Sequence, residues 1–194
     1  MLPQKSEFAK YWNINSETVF LNHGSFGATS KLVLAEQNRL RNQLESDPVW
    51  FLEEVVEEMW QNAILSISNF LNADPGGMVF LSNATSGVNT VLRSLSLNPD
   101  DEIIVPNHTY QACWNAVDFV TSRSGAKTVI VEIPFPVKSK EEIINPILEK
   151  VNRNTRLALI DTVSSPTGLR MPFEELVYQL QSKNVDVLLD AAHG

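Results

Sequence analysis

The stretch "VDVLLDAAHG", Val185–Gly194, joins an apolar run to an acid, with a histidine three residues beyond that acid. A short apolar run of this kind, bounded by polar and small residues, is typical of a buried strand in a parallel sheet. Asp190 would then lie at the strand end, where a carboxylate is partly desolvated and needs a cationic partner. A protonated heterocycle nitrogen is one such partner, and an arginine elsewhere in the fold is the purely structural alternative.

Upstream of this stretch, short apolar runs alternate with amphipathic segments. The predicted strands are "MVFL" (78–81), "EIIVP" (102–106), "TVIVEI" (128–133), "RLALIDTV" (156–163) and "VDVLLDAA" (185–192). Helices are predicted over 85–97, 109–124, 140–152 and 172–183. Strands that are apolar on both faces and separated by helices indicate an α/β fold, with a mostly parallel sheet covered by helices on both sides.

Two further helices are predicted before the first of these strands. Ser30 can cap a helix through "KLVLAEQNRLRNQLESD", and Pro48 suits the first turn of a second helix that runs to residue 72. We expect residues 1–29 to form an N-terminal arm and residues 30–194 to form one large domain. The Pro-containing segment 133–140 is the one candidate linker.

Composition limits the classes of function. The 194 residues are 43% hydrophobic and carry a net charge of −8, which argues against nucleic-acid or anionic-membrane surfaces and favours a small-molecule or protein partner. The single cysteine excludes an internal disulfide, and no apolar stretch reaches the ~18 residues of a bilayer span. We therefore expect a soluble cytoplasmic protein. No metal site is predicted.

The segments that follow the predicted strands are polar and rich in small residues. They read "SNATSG", "PNHTY", "DTVSSPTG" and "DAAHG". Taken singly, each is better explained by a solvated loop or a helix cap. Ligands of open parallel sheets bind beyond the carboxyl ends of the strands, so the four loops together predict a binding site.

The segment "SNATSGVNTV", residues 82–91, leads from a predicted strand into a helix. Its backbone N–H groups and hydroxyls would lie at the positive end of the helix dipole, which suits a phosphate. No lysine follows the glycine as in a Walker loop, and the G-x-G-x-x-G dinucleotide fingerprint is absent. A capped helix without a ligand stays equally open for this segment alone.

Five segments in this order resemble the class V aminotransferase family of pyridoxal-phosphate enzymes, in particular its isopenicillin N epimerase-like branch. They are "FLNHGSFGA" (20–28), "SNATSGVNTV" (82–91), "PNHTYQACWNAV" (106–117), "DTVSSPTG" (161–168) and "DAAHG" (190–194). The resemblance implies the large domain of a fold-type-I transferase and pyridoxal 5'-phosphate as cofactor. It also implies an amino-acid substrate and, for the complete protein, a homodimer.

The resemblance assigns residues to the cofactor's phosphate and ring face. Ala84 and Thr85, with Ser86 nearby, match the loop that holds the phosphate. Tyr110 matches the residue that stacks on the pyridine ring, and His108 is the less favoured candidate for that role.

The resemblance also assigns residues to the polar atoms of the ring. Asp190 matches the carboxylate that pairs with the pyridine nitrogen. His193 matches a contact to the ring's 3-oxygen or to the phosphate side, and Ser165 lies near that oxygen. A segment expected to fold over the substrate side consists of Asn22, His23 and Gly24.

Enzymes of this family need a lysine that forms a Schiff base with the cofactor, on a strand after the one that carries the aspartate. The lysines here are residues 5, 10, 31, 127, 138, 140, 150 and 183, and none follows a strand end near Asp190. No catalytic residue is therefore assigned, and the chain is expected to be truncated before the last strands and the C-terminal small domain. Cys113 is interpreted as a small buried residue rather than a nucleophile.

The favoured function is a pyridoxal-phosphate enzyme acting on an amino-acid α-carbon by epimerisation, transamination, or elimination and desulfuration. One alternative is a non-catalytic paralogue that binds the cofactor weakly or only associates with a full-length partner. Another is an unrelated doubly wound protein that binds a nucleotide, against which the missing glycine fingerprint counts.

Overall fold

The computed structural model describes residues 6–194. The chain divides into two compact units, Met1–Phe80 and Leu81–Gly194. The boundary predicted after residue 29 stays a prediction, and the first five residues of the predicted arm lie outside the described part. Across residues 6–194, no helix combines the length and the apolar character needed to cross a membrane.

The first unit is helical. After a 3-10 turn at Glu7–Tyr11 come α1 (Lys31–Ser46), α2 (Pro48–Trp50), a π-helical turn (Phe51–Val55) and α3 (Val56–Leu71). Ser30 caps α1 by accepting a hydrogen bond from the backbone N–H of Val33 (3.5 Å). Pro48 occupies the first turn of α2, so both predicted helix starts are confirmed.

The strand predicted at "MVFL" is wrong. Residues 78–81 have no regular secondary structure, and the side chain of Val79 is 70% exposed. A short apolar run becomes a strand only where a neighbouring strand takes up its amides and carbonyls. None of the four strands described in residues 6–194 pairs with this segment.

The second unit is an α/β layer structure, as predicted. Its strands are β1 (Glu102–Pro106), β2 (Lys127–Val131), β3 (Thr155–Asp161) and β4 (Asp186–Asp190). Its helices are α4 (Ala84–Ser94), α5 (Gln111–Ser124), α6 (Glu141–Lys150) and α7 (Phe173–Gln181). All strand pairs are parallel, in the order β2-β1-β3-β4.

Alternation along β3 divides the core into two layers. Leu157 and Leu159 pack with buried side chains of α4 and α5, whereas Ala158 and Ile160 pack with those of α6 and α7. Successive side chains of a strand point to opposite faces, so Asp161 continues the α4/α5 face. β3 and β4 are paired in register with Asp161 beside Asp190, which places both acids on that face.

Leu159 is fully buried in the central strand β3, whereas Leu189 on β4 is 37% exposed. We expect Leu159→Ala to lower the free energy of unfolding by about 2–5 kcal/mol, because it removes buried methyl groups and leaves a cavity. The matched Leu189→Ala should cost about 1 kcal/mol or less. Urea denaturation followed by circular dichroism compares the two, and equal losses would contradict the described layering.

Candidate active site

Asp190 is buried at the carboxyl end of β4, as the sequence predicted. Its Oδ2 accepts a hydrogen bond from the thiol of Cys113 on α5 (3.2 Å), and its Oδ1 accepts one from the backbone N–H of Ala192 (3.1 Å). Its backbone carbonyl accepts from the N–H of Thr162 at the end of β3 (2.8 Å). The carboxylate is thus fixed between its own turn and the first helical turn of α5.

Asp161 is a second buried acid at the same edge, to which the sequence analysis assigned no role. It is 5% exposed, and no hydrogen bond of normal geometry reaches either carboxyl oxygen among the described residues, although the backbone N–H of Tyr110 is a nearby donor. Burial, and then the charge of Asp190, raise the pKa of Asp161 to about 7, and the backbone amide of Tyr110 opposes that rise. The sequence did contain a signal, because "LALID" and "VLLD" both place an acid after an apolar run.

No cation neutralises either acid within residues 6–194. The four ion pairs found there involve exposed side chains, and none includes Asp161 or Asp190. The arginine proposed as the structural partner of Asp190 is therefore not present among the described residues. The two carboxyl groups form an acidic site that still requires positive charge.

The first turn of α4 lies near the same acids. Asn83 caps it by accepting a hydrogen bond from the N–H of Ser86 (2.8 Å), and the hydroxyls of Ser82 and Ser86 lie 3.2 Å apart. The amides of Ala84 and Thr85 precede the first intrahelical bond and have no acceptor within residues 6–194. These donors and the helix dipole favour an anion.

Two contacts link this turn to Asp190. The Thr85 hydroxyl lies close enough to Cys113 to lower the thiol's pKa slightly, and Cys113 in turn donates to Asp190. Cys113 was predicted to be a small buried residue, and the structure confirms that it is fully buried. The sequence did not reveal that Cys113 links the first turn of α4 to Asp190.

Burial, and then the neighbouring carboxylate of Asp190, raise the pKa of Cys113 to about 12. The group is therefore a neutral thiol at physiological pH, which suits a hydrogen-bond donor and not a nucleophile.

The loop after β1 carries the two candidates for stacking on a ring. Tyr110 precedes α5 and is 45% exposed. His108 is buried, with its Nδ1 3.3 Å from the hydroxyl of Thr167 and its ring edge against Phe135. Tyr110 is the more accessible of the two, and its stacking on a ring stays a prediction.

Two other predicted residues lie in the loops after β3 and β4. Ser165 is exposed, whereas the preceding Ser164 is buried and donates to the carbonyl of His108 (3.1 Å). His193 is exposed in the turn after Asp190. The structure brings both residues to the carboxyl edge, and their cofactor contacts stay predictions.

The predicted substrate-side segment lies in the first unit. Asn22 accepts a hydrogen bond from the N–H of Phe26 (3.0 Å), and the ring of His23 packs edge-on against Phe20 with centroids 4.7 Å apart. Asn22, His23 and Gly24 are all exposed. Their role beside a substrate stays a prediction.

Comparison with known proteins identifies relatives with the expected chemistry. The family model "Aminotransferase class-V" matches residues 39–194. The L-cysteine desulfhydrase of Arabidopsis thaliana is 30% identical over 97% of this chain and 44% of its own length. The isopenicillin N epimerase of Streptomyces clavuligerus is 28% identical over 93% of this chain and 46% of its own length, in agreement with the predicted branch.

Solved structures share the fold. A mutant of C-DES, determined with glycine covalently linked to its pyridoxal-phosphate cofactor, matches with a TM-score of 0.78 at 18% identity. The match covers 91% of this chain and 47% of C-DES. The chain spans about half the length of the curated relatives it matches. From residue 39 to residue 194 its sequence fits one family model, and the chain belongs to the aminotransferase class-V family.

Proposed function

We propose that the second unit binds pyridoxal phosphate at the carboxyl edge of its sheet, as the cofactor-binding part of an enzyme acting on an amino-acid α-carbon. The observation that carries the proposal is the buried Asp190 carboxylate, which lacks a cationic partner within residues 6–194. Family membership and the C-DES fold support it.

The polar groups of the site match the charges at both ends of this cofactor. A protonated pyridine nitrogen supplies the positive charge that Asp190 needs, and a phosphate supplies the negative charge favoured by the free amides of Ala84 and Thr85. Cys113 connects the two parts, since it donates to Asp190 and lies beside Thr85. A ligand with one charge alone would leave the other part unsatisfied.

Each side chain has a definite task in this proposal. Asp190 would keep the ring nitrogen protonated, and Tyr110 would pack on the ring. His193 and Ser165, in the loops after β4 and β3, would bind the ring's oxygen substituent. When bound, the cofactor supplies an electron sink that weakens the bonds at the substrate's α-carbon.

The reaction is proposed at the level of its class. The names of the relatives include a cysteine desulfhydrase and an epimerase, so elimination at a sulfur-bearing side chain and epimerisation are the leading candidates, with transamination third. The complete enzyme is proposed to be a cytoplasmic homodimer.

Asp190→Asn should weaken pyridoxal-phosphate binding by about 10- to 100-fold, because it removes a charge-assisted hydrogen bond worth about 1.5–3 kcal/mol. Equilibrium dialysis of the 194-residue chain measures the dissociation constant. The matched control is Asp186→Asn, an exposed acid on the same strand that pairs with Arg156 at 3.4 Å. Unchanged affinity in the Asp190 variant would refute the assignment of the ring nitrogen to this acid.

Pyridoxal, which lacks the phosphate, should bind at least about tenfold more weakly than pyridoxal phosphate, because the amides of Ala84 and Thr85 then lose their charged acceptor. Inorganic phosphate should compete with pyridoxal phosphate but not with pyridoxal. Equal affinities for the two ligands, measured by dialysis, would exclude the first turn of α4 as the phosphate site.

Cys113 should resist alkylation by iodoacetamide at pH 8 in the folded chain and react rapidly in denaturant, because it is buried with a pKa of about 12. Mass spectrometry of the labelled chain measures the reaction. Rapid labelling of the native chain would show that the thiol is accessible and that its hydrogen bond to Asp190 is not maintained.

A further inference from the structure

We propose that Asp161 and Asp190 form a carboxyl pair that holds one proton at mildly acidic pH and loses it around neutral pH, with Asp161 as the protonated member. Asp161 is then a positioning residue, which acts on the ligand through Asp190. Its effect on a bound cofactor rests on the proposed function, whereas the sharing of the proton does not.

The register between β3 and β4 places the two acids side by side. Asp161 and Asp190 are register partners at the ends of two parallel neighbours, and adjacent strands lie about 4.8 Å apart. Register partners point to the same face, and both side chains are buried, at 5% and 6% exposure. Two carboxylates this close in a poorly solvated layer do not both ionise readily.

The hydrogen bonds decide which acid keeps the proton. Asp190 accepts one from the Cys113 thiol and one from the Ala192 amide, and both stabilise its charged form. Asp161 accepts no hydrogen bond of normal geometry within residues 6–194, and the nearby backbone N–H of Tyr110 does not offset the effect of burial. The pKa of Asp161, raised to about 7, agrees with this asymmetry.

No other charge on α4, α5 or β1 replaces this proton. Cys113 is the only titratable side chain of α4 and α5 in contact with either acid. The charged side chains of these helices have other partners. Arg93 and Arg123 lie over the ring of Phe119, and Asp118 accepts from the hydroxyl of Thr128. On β1 the same face presents only apolar groups.

A shared proton gives the pair one negative charge, which matches the single positive charge of a protonated ring nitrogen. The neutral Asp161 would prevent a second, uncompensated anion from forming beside Asp190. Asp190 stays ionised and contacts the ring nitrogen. Asp161, by holding the proton, limits the total charge of the pair to −1.

The test is the pH dependence of thermal stability in the cofactor-free 194-residue chain. A carboxyl whose pKa rises from 3.8 in the unfolded state to about 7 in the folded state stabilises the fold most below pH 4. That stability is lost as the pH rises to about 7. Asp161→Asn keeps the shape and cannot ionise, so its Tm should match that of the wild type at pH 4.

At pH 8 the Asp161→Asn variant should melt on the order of 5–10 °C above the wild type. Asp186→Asn, the exposed control on β4, should show no such pH-dependent difference. A Tm difference between Asp161→Asn and wild type that stays constant from pH 4 to pH 8 would overturn the proposal.

A second measurement observes the proton directly. Infrared difference spectroscopy of the wild type at pH 6 should show the carbonyl band of a protonated carboxyl group, which falls to half its intensity near about pH 7 and is lost at higher pH. The band should be absent from Asp161→Asn, and its midpoint should move to lower pH in Asp190→Asn because the like charge is gone. Absence of the band from wild type at pH 6 would also refute the shared proton.

None of these measurements includes pyridoxal phosphate. If the band and the pH-dependent Tm are found but the cofactor does not bind, the carboxyl pair stands and the proposed function fails. If the cofactor binds and neither signal is found, the pair is refuted and the proposed function stands.

Discussion

The register between β3 and β4 is the constraint on which the candidate site depends. It places two acids side by side on the face that otherwise holds Leu157, Leu159 and the apolar sides of α4 and α5. Burying a carboxylate without a cation is unfavourable by several kcal/mol. Because a cation would offset this unfavourable free energy, this edge of the sheet strongly prefers a positively charged ligand.

The helices around that edge supply the complementary features. The amino end of α4 offers amides with no acceptor within residues 6–194, and the first turn of α5 offers a thiol that stabilises the charged form of Asp190. One side of the site therefore favours negative charge and the other favours positive charge. A zwitterionic molecule satisfies both, which is why the arrangement is more specific than either half.

Much of the fold could be predicted from residues 81–194 because its strands are continuous apolar runs and its helices begin at clear boundaries. Asp190 could be predicted for the same reason, as an acid directly after such a run. The strand expected at 78–81 could not be excluded, because hydrophobicity alone does not reveal whether a pairing partner exists. Asp161 was missed because its importance comes from register, which relates two residues 29 positions apart along the chain.

The alternation of side chains along β3 also determines which sequence changes this fold can tolerate. Ala158 and Ile160 face a purely hydrocarbon layer against α6 and α7, where exchanges among similar apolar side chains leave the charge of the opposite face untouched. Inserting or deleting one residue within the strand would instead move Asp161 toward that apolar layer and leave Ile160, after an insertion, or Thr162, after a deletion, in its place. Insertions and deletions in β3 should therefore be far less compatible with function than substitutions among its apolar residues.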